Sequence, residues 1–114
     1  VQKIIVTHPA ASFVNYTAAQ MREALAAGAT YLEHVFNDCT PQVAHPIPPS
    51  TLGDAMKAVG PTHCIMSTDS GQTVNPPPVK VMTRYIEEML KYGLPAKAIR
   101  TMTAINPGRI LGLK

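Results

Sequence analysis

The sequence has no tryptophan, and its aromatic side chains are limited to four Tyr and two Phe among 114 residues. The buried core must therefore consist mainly of aliphatic side chains and methionine. The chain is 46% hydrophobic and 15% charged. This balance excludes a disordered chain and indicates a globular one. The length allows one domain, residues 1–114, with a modest core.

Cysteine and long apolar runs are also scarce. Cys39 and Cys64 are the two cysteines, and they form no Cys-x-x-Cys pair. Free thiols in a reducing cytosol are the simpler interpretation, with one disulfide as the alternative. No apolar run reaches membrane-spanning length and the first residues lack a signal-peptide layout, so we expect a cytoplasmic protein without a membrane partner.

The sequence lacks the common nucleotide and nucleic-acid signatures. Its net charge is +3, but the basic residues between Lys80 and Lys114 are spread along helical stretches without interleaved aromatics. This indicates a solvated helix face and no nucleic-acid partner. Phosphate-loop, Rossmann, His-Glu-x-x-His and Gly-x-Ser-x-Gly motifs are absent, which removes the main support for nucleotide binding and serine hydrolysis.

What the sequence does contain is a rhythm of short apolar strands and longer helical patterns. The predicted strands are residues 4–6, 30–36 and 63–67, and the first is a run of consecutive β-branched residues, Ile4-Ile5-Val6. A run without alternation indicates a strand covered on both faces, as in parallel sheets. Strand, helix and strand in this order form a βαβ unit, which predicts an α/β fold with parallel strands and outer helices.

Capping patterns predict where the helices begin and end. Thr17 with Gln20 forms a capping box, and Gly28 closes that helix. Further helices are predicted from Ser50 as a cap to residue 59, over residues 79–92, and after Pro95. The buried face of the helix over 79–92 is predicted to consist of four apolar side chains, Met82, Ile86, Met89 and Leu90.

Three polar residues stand at the carboxyl ends of the predicted strands: His8, His34 and Asp69. In βα barrels and open α/β sheets the site lies at these ends. Two imidazoles and a carboxylate are a natural ligand set for Zn²⁺ or another divalent ion, and a carboxylate beside a metal-bound water can act as its base. Taken singly, each residue is more often a hydrogen-bonded loop residue or a turn former. Asn37, His45 and Gln72 lie on loops of the same rim and are candidate substrate contacts.

Several segments together resemble the amidohydrolase superfamily. Thr7-His8 is followed by a helix and by Ala-Gly-Ala-Thr-Tyr-Leu-Glu-His34-Val-Phe-Asn37, a pattern similar to the N-acetylglucosamine-6-phosphate deacetylase branch. Met66-Ser-Thr-Asp69-Ser-Gly71 resembles the strand-eight aspartate motif of the superfamily. The final Asn-Pro-Gly-Arg-Ile-Leu-Gly112 resembles its terminal segment. Glu33 and Pro9 depart from the amino-sugar branch, so the resemblance favours an uncharacterised amidohydrolase-like family.

The resemblance implies a fold and a chemistry. The fold would be the C-terminal portion of a (β/α)8 TIM-type barrel, with His8 and His34 as metal ligands on strands five and six. Asp69 on strand eight would be both a ligand and the catalytic base. The metal would be divalent, with Zn as the first expectation and Mn, Fe, Co or Ni as alternatives. The substrate would be a small molecule with an amide, lactone or related bond.

A complete barrel has about 250 residues, so the chain corresponds to about half of one. The strand-one His-x-His pair and the strand-four ligand of the superfamily are missing, and strand seven is not evident. We therefore expect the remaining barrel half to come from a longer protein or from a second copy, and the isolated chain to form oligomers. The alternative function is a non-catalytic partial-barrel domain for binding or assembly, without bound metal.

Overall fold

A computed structural model describes residues 3–113, so Val1, Gln2 and Lys114 lie outside the described part of the predicted domain. The fold is α/β, and its centre is a parallel sheet of three strands in the order β1-β2-β3. The strands are β1 (Ile5–Thr7), β2 (Tyr31–Val35) and β3 (Cys64–Ser67). The predicted strands and their parallel arrangement are thus confirmed, with shifts of at most one residue at their ends.

Helices connect and follow the strands. They are α1 (Ala18–Ala26), α2 (Pro49–Val59), α3 (Pro78–Tyr92), α4 (Ala96–Arg100) and α5 (Asn106–Ile110). Short 3-10 turns cover Phe36–Cys39 and Pro61–His63, and a π-helical segment, Thr101–Ile105, joins α4 to α5. No described helix is long and apolar enough to cross a membrane.

The two predicted helix starts differ in outcome. At α1 the capping box is present: the Gln20 amide donates to Thr17 Oγ1 at 3.2 Å, and the Thr17 amide donates to Gln20 Oε1 at 2.8 Å. The prediction that Ser50 caps α2 is wrong, because that helix already begins at Pro49 and has no side-chain cap. A proline at the first helical position needs no partner for its missing N–H and has a φ suited to the helix.

The core lies between one face of the sheet and the helices. Leu32, Cys64 and Met66 pack there against Met56 and Met89, together with other buried apolar side chains. Successive residues of a strand point to opposite faces, so residues 32, 34, 64 and 66 share the helix-covered face. The opposite face carries the odd-numbered residues of the strands. The polar side chains of Thr7, Glu33 and Ser67 therefore lie on that face.

The buried face of α3 agrees in part with the sequence prediction. Met89 is buried, and Met82 and Ile86 are partly buried against the core, as predicted. Leu90 is exposed, however, and Val81 and Tyr85 are buried. The helix is turned because Tyr85 is buried: its hydroxyl donates to the backbone oxygen of His34 at 2.9 Å, and its ring packs at 4.9 Å from the Phe36 ring. A tyrosine can be buried in this way when its hydroxyl finds a partner, and apolar spacing alone does not reveal such a partner.

The last helical segments are fixed to the sheet by Asn106. Its buried Nδ2 donates to the backbone oxygens of Pro61 at 2.9 Å and Cys64 at 2.7 Å. Pro107 has no N–H for the helical ladder, and the chain widens into the π-helical turn just before it, where the Asn106 amide donates to the Thr101 oxygen. The Asn-Pro pair therefore has a structural role at the start of β3.

Candidate functional site

Two of the predicted site residues meet at the carboxyl end of the sheet. His8 directly follows β1, and Asp69 follows β3 by two residues. Both have left-handed backbones, with φ values of 57° and 52°. Histidine and aspartate adopt this region more readily than most residues, yet the conformation still has a free-energy cost of roughly 1 kcal/mol. The distorted backbone directs both side chains to the same rim.

Asp38 holds the imidazole of His8 in place. His8 Nδ1 lies 2.9 Å from Asp38 Oδ1 and 3.0 Å from Oδ2, and Asp38 is 1% exposed. Because Nδ1–H donates to this carboxylate, Nε2 is the ring nitrogen left for another partner. Nε2 lies 3.8 Å from Asp69 Oδ2, which is longer than a hydrogen bond.

The rim carries more negative than positive charge. Burial raises the pKa of Asp38, and the hydrogen bond and charge of His8 oppose that rise. The negative charges of Asp69 and Glu33 raise the Asp38 pKa further, so both lie near enough to interact with it. Glu33 accepts a hydrogen bond from the hydroxyl of Thr7, its partner across the β1–β2 ladder.

A cleft of about 280 Å³ opens among these groups. Thr7, His8 and Glu33 line one side of it, and Asp69 and Ser70 line the other. Asp38 and Asp69 thus flank the His8 imidazole, and Glu33 lines the same cleft. This excess of negative charge is suited to a cation. We call Glu33, His8, Asp38 and Asp69 the rim cluster.

The structure does not bring His34 into this cleft. His34 lies on the helix-covered face of β2 with 0% exposure, and neither ring nitrogen has a hydrogen-bond partner. Burial lowers the pKa of His34 from 6.5 to about 4, so the ring is neutral at pH 7. Within residues 3–113 no three His, Cys, Asp or Glu side chains are grouped to hold a metal ion. A ligand role for His34 stays a prediction.

The rim cluster fits part of a metal site. Two ligands bound to one Zn²⁺ at about 2.1 Å in tetrahedral geometry are roughly 3.4 Å apart. The 3.8 Å between His8 Nε2 and Asp69 Oδ2 is close to that spacing. A histidine ligand usually donates its other N–H to a carboxylate, which is the position Asp38 occupies. The described residues thus supply two donors and their support, and a complete site needs further ligands.

The three predicted substrate residues have different positions. Asn37 is buried, and its Oδ1 accepts a hydrogen bond from Asn75 Nδ2 at 3.1 Å. Gln72 donates to the backbone oxygen of Asp69 at 3.0 Å and accepts from Asn75. Asn37 and Gln72 therefore belong to one polar network beside the rim. His45 is exposed in the proline-rich loop and forms no side-chain hydrogen bond with the described residues.

Sequence reasoning missed Asp38 and noted Glu33 only as a departure from a family pattern. The signal for Asp38 was present, because it follows β2 as His8 follows β1 and so lies at the same sheet edge. For Glu33 the signal was strand alternation, which places it on the same sheet face as Thr7.

Known proteins give no guide to this arrangement. Comparisons with protein-family models, curated proteins and solved structures found no match to the chain. The rim cluster is therefore the observation on which a function is proposed.

Proposed function

We propose that the chain is part of a metal-dependent hydrolase of amidohydrolase type, acting on an amide, lactone or related bond of a small molecule. One observation carries this proposal: buried Asp38 fixes Nδ1 of His8, so that Nε2 faces the Asp69 carboxylate at the carboxyl rim of a parallel sheet. The resemblance of the segment around His8 to an amidohydrolase motif also supports it.

Three residues of the rim cluster, His8, Asp38 and Asp69, have a defined task in this proposal. His8 Nε2 and an Asp69 oxygen are the donors available to a divalent ion. A divalent ion held there would supply Lewis acidity, which lowers the pKa of bound water and polarises a carbonyl. Asp38 keeps the His8 ring in one orientation and one tautomer. Asp69, exposed to the cleft, is placed to accept a proton from the attacking water. Zn²⁺ suits these donors best, and Mn²⁺, Fe²⁺, Co²⁺ and Ni²⁺ are compatible.

We propose further that the sheet is part of a (β/α)8 barrel. Strands that are neighbours in the chain are also neighbours in the sheet, and the candidate site lies at their carboxyl ends. Ile4 and Ile5, at the outer strand β1, are 51% and 41% exposed, which suits a sheet that continues in the complete protein. The missing strands would come from the rest of a longer protein or from a second copy.

The strand numbering implied by the family resemblance needs one change. Leu32 and Val35 of β2 pair directly with Cys64 and Ser67 of β3, so no strand lies between them. An assignment of these two strands to positions six and eight leaves a gap that the observed pairing does not allow. Positions five, six and seven agree with the pairing, and Asp69 would then follow strand seven. Cys39 and Cys64 are not joined in a disulfide, and this supports our proposal that the protein is cytoplasmic.

A second candidate function uses the same residues without metal. Because Asp38 orients the His8 ring, Nε2 can accept a proton from a water molecule, as in other Asp–His pairs. In that case hydrolysis would need His8 and Asp38 but would persist with a chelator. The non-catalytic alternative predicts neither stoichiometric metal nor hydrolysis.

Metal analysis of variants separates these functions. Because this chain supplies two donors, we expect the purified protein to bind Zn²⁺ or Mn²⁺ at one ion per chain when the metal is present in excess, and His8→Asn and Asp69→Asn to lose this binding. Both replacements tolerate the left-handed backbone, so loss cannot be ascribed to strain. Asp38→Asn should weaken binding by about 10- to 100-fold, and His45→Asn, at an exposed histidine, is the matched control. Equal metal content in all variants, or none in any, would exclude the proposed metal site.

A further inference from the structure

A second cavity lies beside the rim cleft and differs from it in charge. It encloses about 200 Å³ between the turn after β2, the loop after β3 and the first turns of α3. Ser70 lines both this cavity and the rim cleft, so the two are neighbours. Most of the lining surface is apolar, with Phe36 and Val81 among the residues that form it, and Lys80 and Arg84 are the two cationic residues of the lining.

Neither Lys80 nor Arg84 forms an ion pair with another described residue. They are four residues apart on α3, so they lie on the same side of the helix, where like charges repel. Within residues 3–113 the recorded ion pairs involve His8 alone, and neither cation contacts a carboxylate. The Arg84 guanidinium lies 5.9 Å from the centre of the Phe36 ring. Two adjacent cations at one cavity are suited to an anion.

A buried amide adds a donor to the same cavity. Asn37 lines it and is 8% exposed. Its Oδ1 is occupied by Asn75 Nδ2 at 3.1 Å, whereas its Nδ2 has no hydrogen-bond partner in the described chain. The free groups of the cavity are therefore an ammonium, a guanidinium and an amide N–H. All three donate hydrogen bonds, and an oxyanion accepts them.

We propose that this cavity binds the carboxylate or phosphate group of a small molecule. Its use as a substrate subsite rests on the proposed function: an anion held by Lys80 and Arg84 would extend the rest of the molecule past Ser70 toward the rim cluster. A chain of hydrogen bonds joins the two places, since Asn75 donates to Gln72 and Gln72 donates to the backbone oxygen of Asp69. The substrate class is thus an anionic amide or lactone.

Binding of simple anions tests the cavity directly. Inorganic phosphate and acetate are titrated separately into chelator-treated protein at constant ionic strength, with amide chemical shifts as the readout. We expect saturable binding of at least one anion, with shifts in residues 36–40 and 80–84. The double variant Lys80→Gln/Arg84→Gln should bind about tenfold more weakly or worse, because charge-assisted hydrogen bonds are lost. The preferred anion distinguishes a carboxylate ligand from a phosphate ligand.

A matched double variant controls for charge. Lys91→Gln/Lys97→Gln removes two exposed cations from α3 and α4 outside the cavity and should bind like the unaltered protein. Equal loss in both double variants, or no saturable binding of either anion, would overturn the proposal. If the first double variant does not fold, Lys80→Gln alone, at an exposed residue, provides the same comparison. His8→Asn should keep anion binding, so a failed metal site and a failed anion site give different results.

Discussion

Replacing His34 with leucine should make the stability of the protein less sensitive to mild acid. His34 is fully buried, both of its ring nitrogens lack partners, and burial lowers its pKa from 6.5 to about 4. Below pH 6.5 the unfolded chain binds a proton that the folded chain does not accept until about pH 4. The free energy of unfolding therefore falls as the pH decreases through this window.

The expected loss follows from the pKa values. A fall from 6.5 to about 4 corresponds to about 3 kcal/mol, at roughly 1.4 kcal/mol per pH unit. At pH 7, leucine also removes two buried nitrogens without partners, which would stabilise the fold by about 1–3 kcal/mol. Imperfect packing of the new side chain would offset this by up to about 1.5 kcal/mol. The variant should be as stable as the original or more stable.

Urea unfolding followed by circular dichroism measures this difference. Metal-free protein and His34→Leu are compared at pH 7.0 and 4.5, with His63→Gln as the control because His63 is exposed. We expect the original protein and the control to lose more stability than His34→Leu. A strongly destabilised His34→Leu at pH 7, with an unchanged dependence on pH, would mean that the imidazole has partners and would refute this reasoning.

Three other perturbations test the packing. Asn106→Ala should lower the free energy of unfolding by about 2–3 kcal/mol, because two buried carbonyl oxygens lose their donor; an unchanged urea midpoint would contradict this. Gly53→Ala should destabilise by about 1–3 kcal/mol, since its Cβ would lie 2.8 Å from the Tyr92 ring; an unaltered melting temperature would show that the ring moves freely. Burial raises the pKa of Cys39 and Cys64 to about 12, so thiol reagents at pH 8 should label them only after unfolding. Rapid labelling of the folded protein would argue against that burial.

The sequence predicts local features of the fold well. The capping box at Thr17 depends on residues three positions apart, and the end of α3 at Gly93 depends on one left-handed residue. The β-branched run at Ile4 indicated a parallel strand for a similarly local reason. Each of these signals is complete within a few residues, so it can be recognised without knowledge of tertiary contacts.

Three properties that the sequence did not predict correctly depend on tertiary contacts: the buried face of α3, the contact between His8 and Asp38, and the orientation of His34. The buried face of α3 is decided by the hydrogen bond between Tyr85 and the His34 backbone, which are 51 residues apart. The hydrogen bond between His8 and Asp38 joins residues that are 30 positions apart in the sequence. The sequence placed His34 at a strand end, but the helices that cover one face of the sheet decide which way its ring points. The convergence of His8 and Asp69 could be predicted because parallel strands end at one edge.

Anomalous difference maps at the zinc edge, from crystals soaked with Zn²⁺, would show whether His8 and Asp69 bind a metal ion. We expect a peak about 2.1 Å from Nε2 of His8 and from a carboxylate oxygen of Asp69, with Asp38 still hydrogen-bonded to Nδ1. A fully occupied peak elsewhere, with those two side chains uncoordinated, would contradict this expectation.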